Sequence, residues 1–162
     1  MTAISHDSEV PAEGKQVITA CAFIHRNFDG TEKLFLAKRA ETKKFLPGVF
    51  ELPGGHINFG EDIVDGLKRE VMEEFGMNIS VGDPFSVFTY INDIKGSHSV
   101  EVVYFAEFTD SIENIKINPE DHSEYKWISE NEMPEEGSVS PEELKNIKKG
   151  FALLRGESQL KK

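Results

Sequence analysis

Apolar and polar positions follow two different rhythms along this chain, and each predicts its own kind of element. Gln16 to His25 (QVITACAFIH) is β-branched and apolar, which predicts a strand. Asn27-Phe28-Asp29-Gly30 reads as a turn, and Lys33 to Ala40 (KLFLAKRA) as the partner strand. Residues 41–49 form a polar loop ending in Pro47-Gly48, after which Phe50 to Leu52 predicts a short strand running into Gly54-Gly55. Phe85 to Ile91 and Val100 to Phe108 are two further strands. The polar connection between them contains Gly96 and suggests an antiparallel hairpin. Tyr125 to Ile128 is a last short strand.

Two stretches have the longer rhythm. Over 61–75, Ile63, Val64, Leu67, Val71 and Phe75 share one arc at about 100° per residue, an apolar face suited to packing on a sheet. Gly60 and the acidic pair Glu61-Asp62 suit the helix start, and Gly76 suits its end. Gly66 lies inside this helix at a cost of about 1 kcal/mol against Ala, which close packing on the sheet is expected to offset. In the second stretch Ser140 can cap, Pro141 fits the first helical position and Glu143 can complete a capping box. Leu144, Ile147, Phe151 and Leu154 then form a helix-spaced stripe. The expected order is β-β-β-α-β-β-β-α in one domain over 16–155, with loose tails at 1–15 and 156–162.

Composition narrows the function classes. The length of 162 residues suits one domain with a real core, and 38% hydrophobic with 29% charged residues is a soluble globular balance. No run of ~18 apolar residues is present, so no membrane span is expected. Met1 to Lys15 is polar and lacks the apolar core of a secretory signal. Cys21 is the single cysteine and cannot form an internal disulfide, so a cytoplasmic, reducing home is the simplest expectation. The net charge of −11 argues against an extended nucleic-acid surface but not against a small nucleotide arriving with a cation.

Glu70, Glu73 and Glu74 stand at i, i+3 and i+4, so their side chains are neighbours, and Glu74 falls at the edge of the apolar arc. Like charges that close repel, and partial burial makes ionisation costlier. Arg69 is the one cation directly beside them, with Lys68 on the far side. A bound divalent cation would relieve the strain, and oxygen-only ligands favour Mg²⁺ or Mn²⁺ over zinc. Taken alone, the triplet also fits a merely solvated acidic helix.

The flanks decide between the two. Phe50-Glu51-Leu52-Pro53-Gly54-Gly55 precedes the helix, and from Gly55 to Met77 the spacing of Gly55, Glu61, Arg69, Glu70, Glu73, Glu74 and Gly76 resembles the signature of the Nudix hydrolase family. The resemblance implies a Nudix fold of the α+β class, a mixed β-sheet sandwiched between α-helices. It implies that Glu70 and Glu74, with Glu73 close behind, bind one or more Mg²⁺ ions (Mn²⁺ as substitute) that bridge a diphosphate and activate water. The Gly54 carbonyl is a further candidate ligand. Arg69 would orient a glutamate, Glu61 would support the loop–helix junction, and Gly55 would permit the turn. The catalytic set is thus Glu70, Glu73, Glu74 and Arg69.

The general base is less fixed across the family, and Glu120, Asp121 and Glu124 lie in a plausible later loop. Glu120 is a candidate substrate contact there, against the plainer reading of a solvated acidic loop. Arg39 ends the second strand where relatives often place a basic residue facing substrate, against a plain salt bridge; Lys38 should face the other way. His56 could touch a phosphate but suits a structural place better. Phe45, Phe85 and Tyr90 could stack a base, although strand aromatics more often fill cores. Trp127 reads as core.

Specificity lies outside the signature. The marks the family uses for ADP-ribose, dinucleoside polyphosphates and coenzyme A are missing: Asn92, Asp93 and Ile94 stand where the first two would fall. What remains is similar to the mutator-type nucleoside triphosphate pyrophosphohydrolases, which implies hydrolysis of an NTP or dNTP, oxidised ones included, to monophosphate and pyrophosphate. The alternatives are a nucleotide-sugar or other NDP-X pyrophosphatase and a non-catalytic nucleotide-binding regulator. An isopentenyl diphosphate isomerase, which shares the fold, needs a reactive cysteine and an added glutamate site, and Cys21 lies instead in the first strand. The expected partner is a small-molecule nucleotide. The resemblance admits a homodimer, which no segment of the chain reports.

Overall fold

The computed structural model describes residues 11–157. Strands β1 (Gln16–Phe28), β2 (Thr31–Arg39), β3 (Phe50–Glu51) and β4 (Gly54–His56) precede helix α1 (Ile63–Phe75). Strands β5 (Ile79–Asn92), β6 (Ser97–Phe108) and β7 (His122–Ser129) follow, and helix α2 (Pro141–Leu154) comes last. The mixed sheet runs β3-β2-β1-β6-β5, with β4 also pairing β1 and β7 also pairing β2. β1 is parallel to β6 and antiparallel to β2 and β4.

Strand alternation divides the core in two. Ala20, Ala22 and Ile24 of β1, with Phe35 and Ala37 of β2, meet Leu67, Val71 and Phe75 of α1. Cys21 and Phe23, with Leu34 and Leu36, point the opposite way and meet Ile147 and Phe151 of α2. The period of two thus puts one helix on each face of the sheet. Phe23 carries the α2 contact edge-on: its ring lies 5.4 Å from that of Phe151. Gly150 makes room, because a Cβ there would stand 2.4 Å from the Phe23 ring.

The elements differ from the sequence expectation where local signals mislead. A fourth short strand, β4, forms from Gly54-Gly55-His56, glycines that read as a turn. β5 begins at Ile79 rather than Phe85, because Gly82 and Pro84 mark bulges inside the strand rather than its end. Helix α1 starts two residues later than expected: Asp62 is its cap, accepting from the Val64 and Asp65 amides at 3.0 and 3.1 Å. Gly76 closes it at φ 65°, the left-handed cap. Gly66 makes room for the preceding loop rather than for the sheet, since a Cβ there would meet Ile57 and Glu61 at 2.6 and 2.7 Å.

Of the expected tails, 1–10 and 158–162 lie outside the described residues. Residues 12–15 are tied to the β5–β6 turn: Ala12 N–H donates to the Lys95 carbonyl at 2.8 Å and His98 N–H to the Lys15 carbonyl at 2.9 Å. No helix among the described residues is long and apolar enough to cross a membrane.

Candidate active site

Helix α1 and the β4 glycines meet at one end of a cavity of about 800 Å³. Glu70 and Glu74, one helical turn apart, both line it and are only 4% and 6% exposed. Glu73 lies a quarter turn away from Glu74, is exposed, and does not line the cavity. The glycine pair is what lets the carboxylates in. Gly54 presses on β1, where a Cβ would stand 2.1 Å from the Ala20 carbonyl oxygen, and its N–H donates to Glu74 Oε1 at 3.1 Å. At Gly55 a Cβ would lie 2.5 Å from the Glu70 carboxylate. The need at Gly55 is therefore space for Glu70 rather than a special backbone angle; Gly54, at φ 155°, has the unusual one.

Arg69 binds this corner together. Its Nε and Nη2 grip both oxygens of Glu61 at 2.8 and 2.9 Å, Nη1 reaches Glu70 at 3.0 Å and Glu73 at 3.2 Å, and Nη2 also donates to the His56 carbonyl at 2.9 Å. The Glu61 hydrogen bonds hold the guanidinium's pKa above its usual value, and Arg69 in turn keeps the Glu61 carboxyl low. Glu61 also accepts the Asn58 N–H at 3.0 Å, so it locks the loop to the helix.

A second group comes from β2, β3 and β7. β2 runs between the other two, pairing Ala37 with Glu51 and Arg39 with His122. Arg39 Nη1 donates to Glu51 at 3.2 Å and Nε to the Phe45 carbonyl at 3.0 Å, while its Nη2 is buried with no hydrogen-bond partner among the described residues. His122 lies 2.8 Å from Glu51 through Nε2 and 3.6 Å from Glu74 through Nδ1. Burial alone would raise the Glu51 carboxyl, but Arg39 and His122 outweigh it and hold it below its usual range. Glu51 is then an ionised acceptor, so Nε2 is the protonated nitrogen of His122. The Glu74 carboxyl goes the other way: burial, then Glu51, Glu70 and Asp121, push it well above the ordinary value. One carboxylate of the pair is thus held charged and the other resists charge unless a cation arrives.

On the α2 face of the sheet, Cys21, Glu101 and Glu143 close the cavity. Glu101 accepts from the Thr19 hydroxyl at 3.1 Å and from the Cys21 thiol at 3.5 Å, and burial raises it to about 7. Burial, reinforced by Glu101, raises the Glu143 carboxyl well above its ordinary value too. Phe45 and Tyr90 set near-parallel rings in the wall, 16° apart with centroids 6.1 Å apart.

Arg39, Gly54, Glu70 and Glu74 of the expected residues therefore meet in the cavity. Glu120 does not. The tight turn in which Asp121 and His122 both donate to the Asn118 carbonyl at 3.0 Å leaves Glu120 exposed, and Asp121 and His122 line the cavity in its place. His56 lines the cavity but sits 2.7 Å from the Lys95 ammonium; burial and that charge push it down to about 4. Phe85 stacks on Phe105 in the core at 4.2 Å, and Trp127 packs beside Phe35. Glu51, His122, Glu101 and Glu143 were not expected at a site. Glu143 was assigned to a capping box, yet only its backbone N–H meets the Ser140 cap, at 3.1 Å, and its carboxylate accepts the Leu52 N–H instead. Glu101 left one trace in the sequence: it is a charge on the same strand face as the buried Val103.

The NUDIX domain family model matches residues 15–149, and the chain belongs to the Nudix hydrolase family. Its fold is that of the MutT Nudix hydrolase from Burkholderia pseudomallei, with TM-score 0.67 and 23% identity over 83% of this chain and 98% of that one. The MutT protein from Methanosarcina mazei Go1 gives TM-score 0.71 at 24% identity, covering 90% and 99%. Among curated relatives, the nucleoside triphosphatase NudI of Escherichia coli is 26% identical over 60% of this chain and 74% of its own length. The zebrafish (Danio rerio) m7GpppN-mRNA hydrolase NUDT17 is 36% identical over 48% of this chain, which spans only 25% of that protein.

Proposed function

We propose that this chain hydrolyses a nucleoside diphosphate linked to a further group, and within that class a nucleoside or deoxynucleoside triphosphate, oxidised bases included. The α–β anhydride bond breaks, one water is added across it, and the products are the monophosphate and pyrophosphate. The observation that carries this reading is the pair of buried glutamates, Glu70 and Glu74, facing a cavity of about 800 Å³ across a glycine cradle that only a missing Cβ leaves open. The similarity to a nucleoside triphosphatase supports the choice of substrate.

The donor set fits a hard dication. Glu70, Glu74 and the Gly54 carbonyl offer oxygen only, and the raised Glu74 pKa marks a place where positive charge is wanted. Glu73, exposed and paired with Arg69, would join by releasing that pair. Magnesium, when bound, screens the phosphate charge and lowers the pKa of its water. The chain's own residues do the rest. Arg69 fixes the Glu70 carboxylate by a charge-assisted bond. His122, braced by Glu51, stands 3.6 Å from the Glu74 oxygen that faces away from Gly54. Arg39 lines the cavity, and a shift that uncovers its buried, unpartnered Nη2 would give a donor to a phosphate oxygen. Phe45 and Tyr90 give a flat wall for a base. A nucleotide sugar would meet the same metal end and differ only at the far one.

A panel of nucleoside triphosphates, their oxidised forms and nucleotide sugars, each assayed with Mg²⁺ and Mn²⁺ for phosphate or pyrophosphate release, tests this. Metal-dependent pyrophosphate release from triphosphates is expected. Undiminished turnover in excess chelator, or no hydrolysis of any nucleotide with either metal, would overturn it.

A further inference from the structure

We propose that Cys21, Glu101 and Glu143 form a second cation site, on the α2 face of the sheet, for a borderline-soft divalent ion of the zinc class. One ligand atom from each lies within 4.8 Å of the other two. The Cys21 Sγ to Glu101 Oε2 distance is 3.5 Å. A sulfur at about 2.3 Å and an oxygen at about 2.0 Å from a tetrahedral zinc stand about 3.5 Å apart, so these two atoms are already spaced for the ion. Glu143 closes the third corner from the first turn of α2. It is 9% exposed, lines the cavity, and its Oε1 has no hydrogen-bond partner among the described residues. A buried acceptor left empty is costly, and a cation is what would fill it.

The donor chemistry separates this place from the one on α1. Glu70 and Glu74 offer oxygen alone, whereas Cys21 adds a thiolate, and sulfur selects zinc-like ions over magnesium. Three protein ligands and a fourth position open to the cavity match the pattern of an open zinc site. Binding exchanges protons for the ion: the thiol and carboxyl protons leave to solvent, and no bond between heavy atoms breaks. None of this depends on the hydrolytic reading.

The full chain, held in excess Mg²⁺, is titrated with Co²⁺ and followed by absorption. A near-ultraviolet thiolate-to-cobalt band saturating at one equivalent is expected, and Cys21 is its only source because the chain has a single cysteine. One equivalent of Zn²⁺ should abolish the band. Glu143→Gln and Glu101→Gln should each weaken cobalt binding by at least about tenfold, with unchanged circular dichroism. No band in the wild type overturns the proposal. So does a band whose affinity is the same in both glutamine variants, which would be a cysteine acting alone.

Discussion

Gly55→Ala tests the proposed metal end without touching any proposed ligand. The new Cβ would lie 2.5 Å from both the Glu70 Cδ and its Oε2. Ordinary contact needs about 3.5 Å, so the carboxylate must retreat by about 1 Å. Metal–ligand distances tolerate about 0.2 Å, and a misplacement of about 1 Å at a reacting centre costs on the order of 100-fold in rate. The expected loss in kcat/KM for Mg²⁺-dependent triphosphate hydrolysis is therefore about 100-fold, or roughly 2.7 kcal/mol. Stability should fall by less than that, in the lower part of the roughly 1–3 kcal/mol range for overpacking, because the atom that must move ends a side chain rather than a strand. Glu70→Asp shortens the acid by one methylene and would by itself pull the carboxylate out of reach. In the double variant the added methyl and the shorter acid compensate, so its loss should be smaller than the sum of the two single losses. Steady-state kinetics on the four proteins, with thermal unfolding as a folding control, gives the cycle. Wild-type kcat/KM in Gly55→Ala, or strict additivity in the double variant, would refute the cradle.

Two further outcomes follow from the same geometry. Glu74→Gln should abolish metal-dependent turnover while stabilising the metal-free protein at alkaline pH. Burial and Glu51 raise the folded-state pKa of Glu74, so the folded protein holds its proton more tightly than the unfolded chain. Stability then falls as pH rises from the unfolded carboxyl range towards the raised value. Thermal unfolding in chelator from pH 5 to 8 should show a shallower decline in the variant, the remainder belonging to Glu101 and Glu143; equal slopes would count against the assignment. Gly150→Ala would drive a Cβ to 2.4 Å from the Phe23 ring and should cost about 1–3 kcal/mol in urea unfolding, with catalysis by the surviving folded protein unchanged.

The helix carrying Glu70 and Glu74 could be read from the chain because its signals are local. Leu67, Val71 and Phe75 repeat at helical spacing, Gly76 stops the run, and three acids crowd one side. Spacing on a helix fixes direction, so the burial of Glu74 beside the apolar arc was also legible. The bulged start of β5 was not, because Gly82 and Pro84 look the same whether they end a strand or kink it. Glu120 was misplaced for a related reason: its neighbours have the same composition, and only the turn closed on Asn118 decides which acid faces inward.

Sequence alone determined the two helices, most of the strands, the family resemblance and the acid pair, since each is written in residues close along the chain; it missed β4 and the start of β5. Tertiary structure decided what surrounds that pair. Glu51 and His122 are 71 positions apart and meet because β2 pairs with both β3 and β7. Cys21, Glu101 and Glu143 meet because β1 runs parallel to β6 while α2 begins over them. Contacts between distant segments depend on strand order, and no local pattern encodes that order.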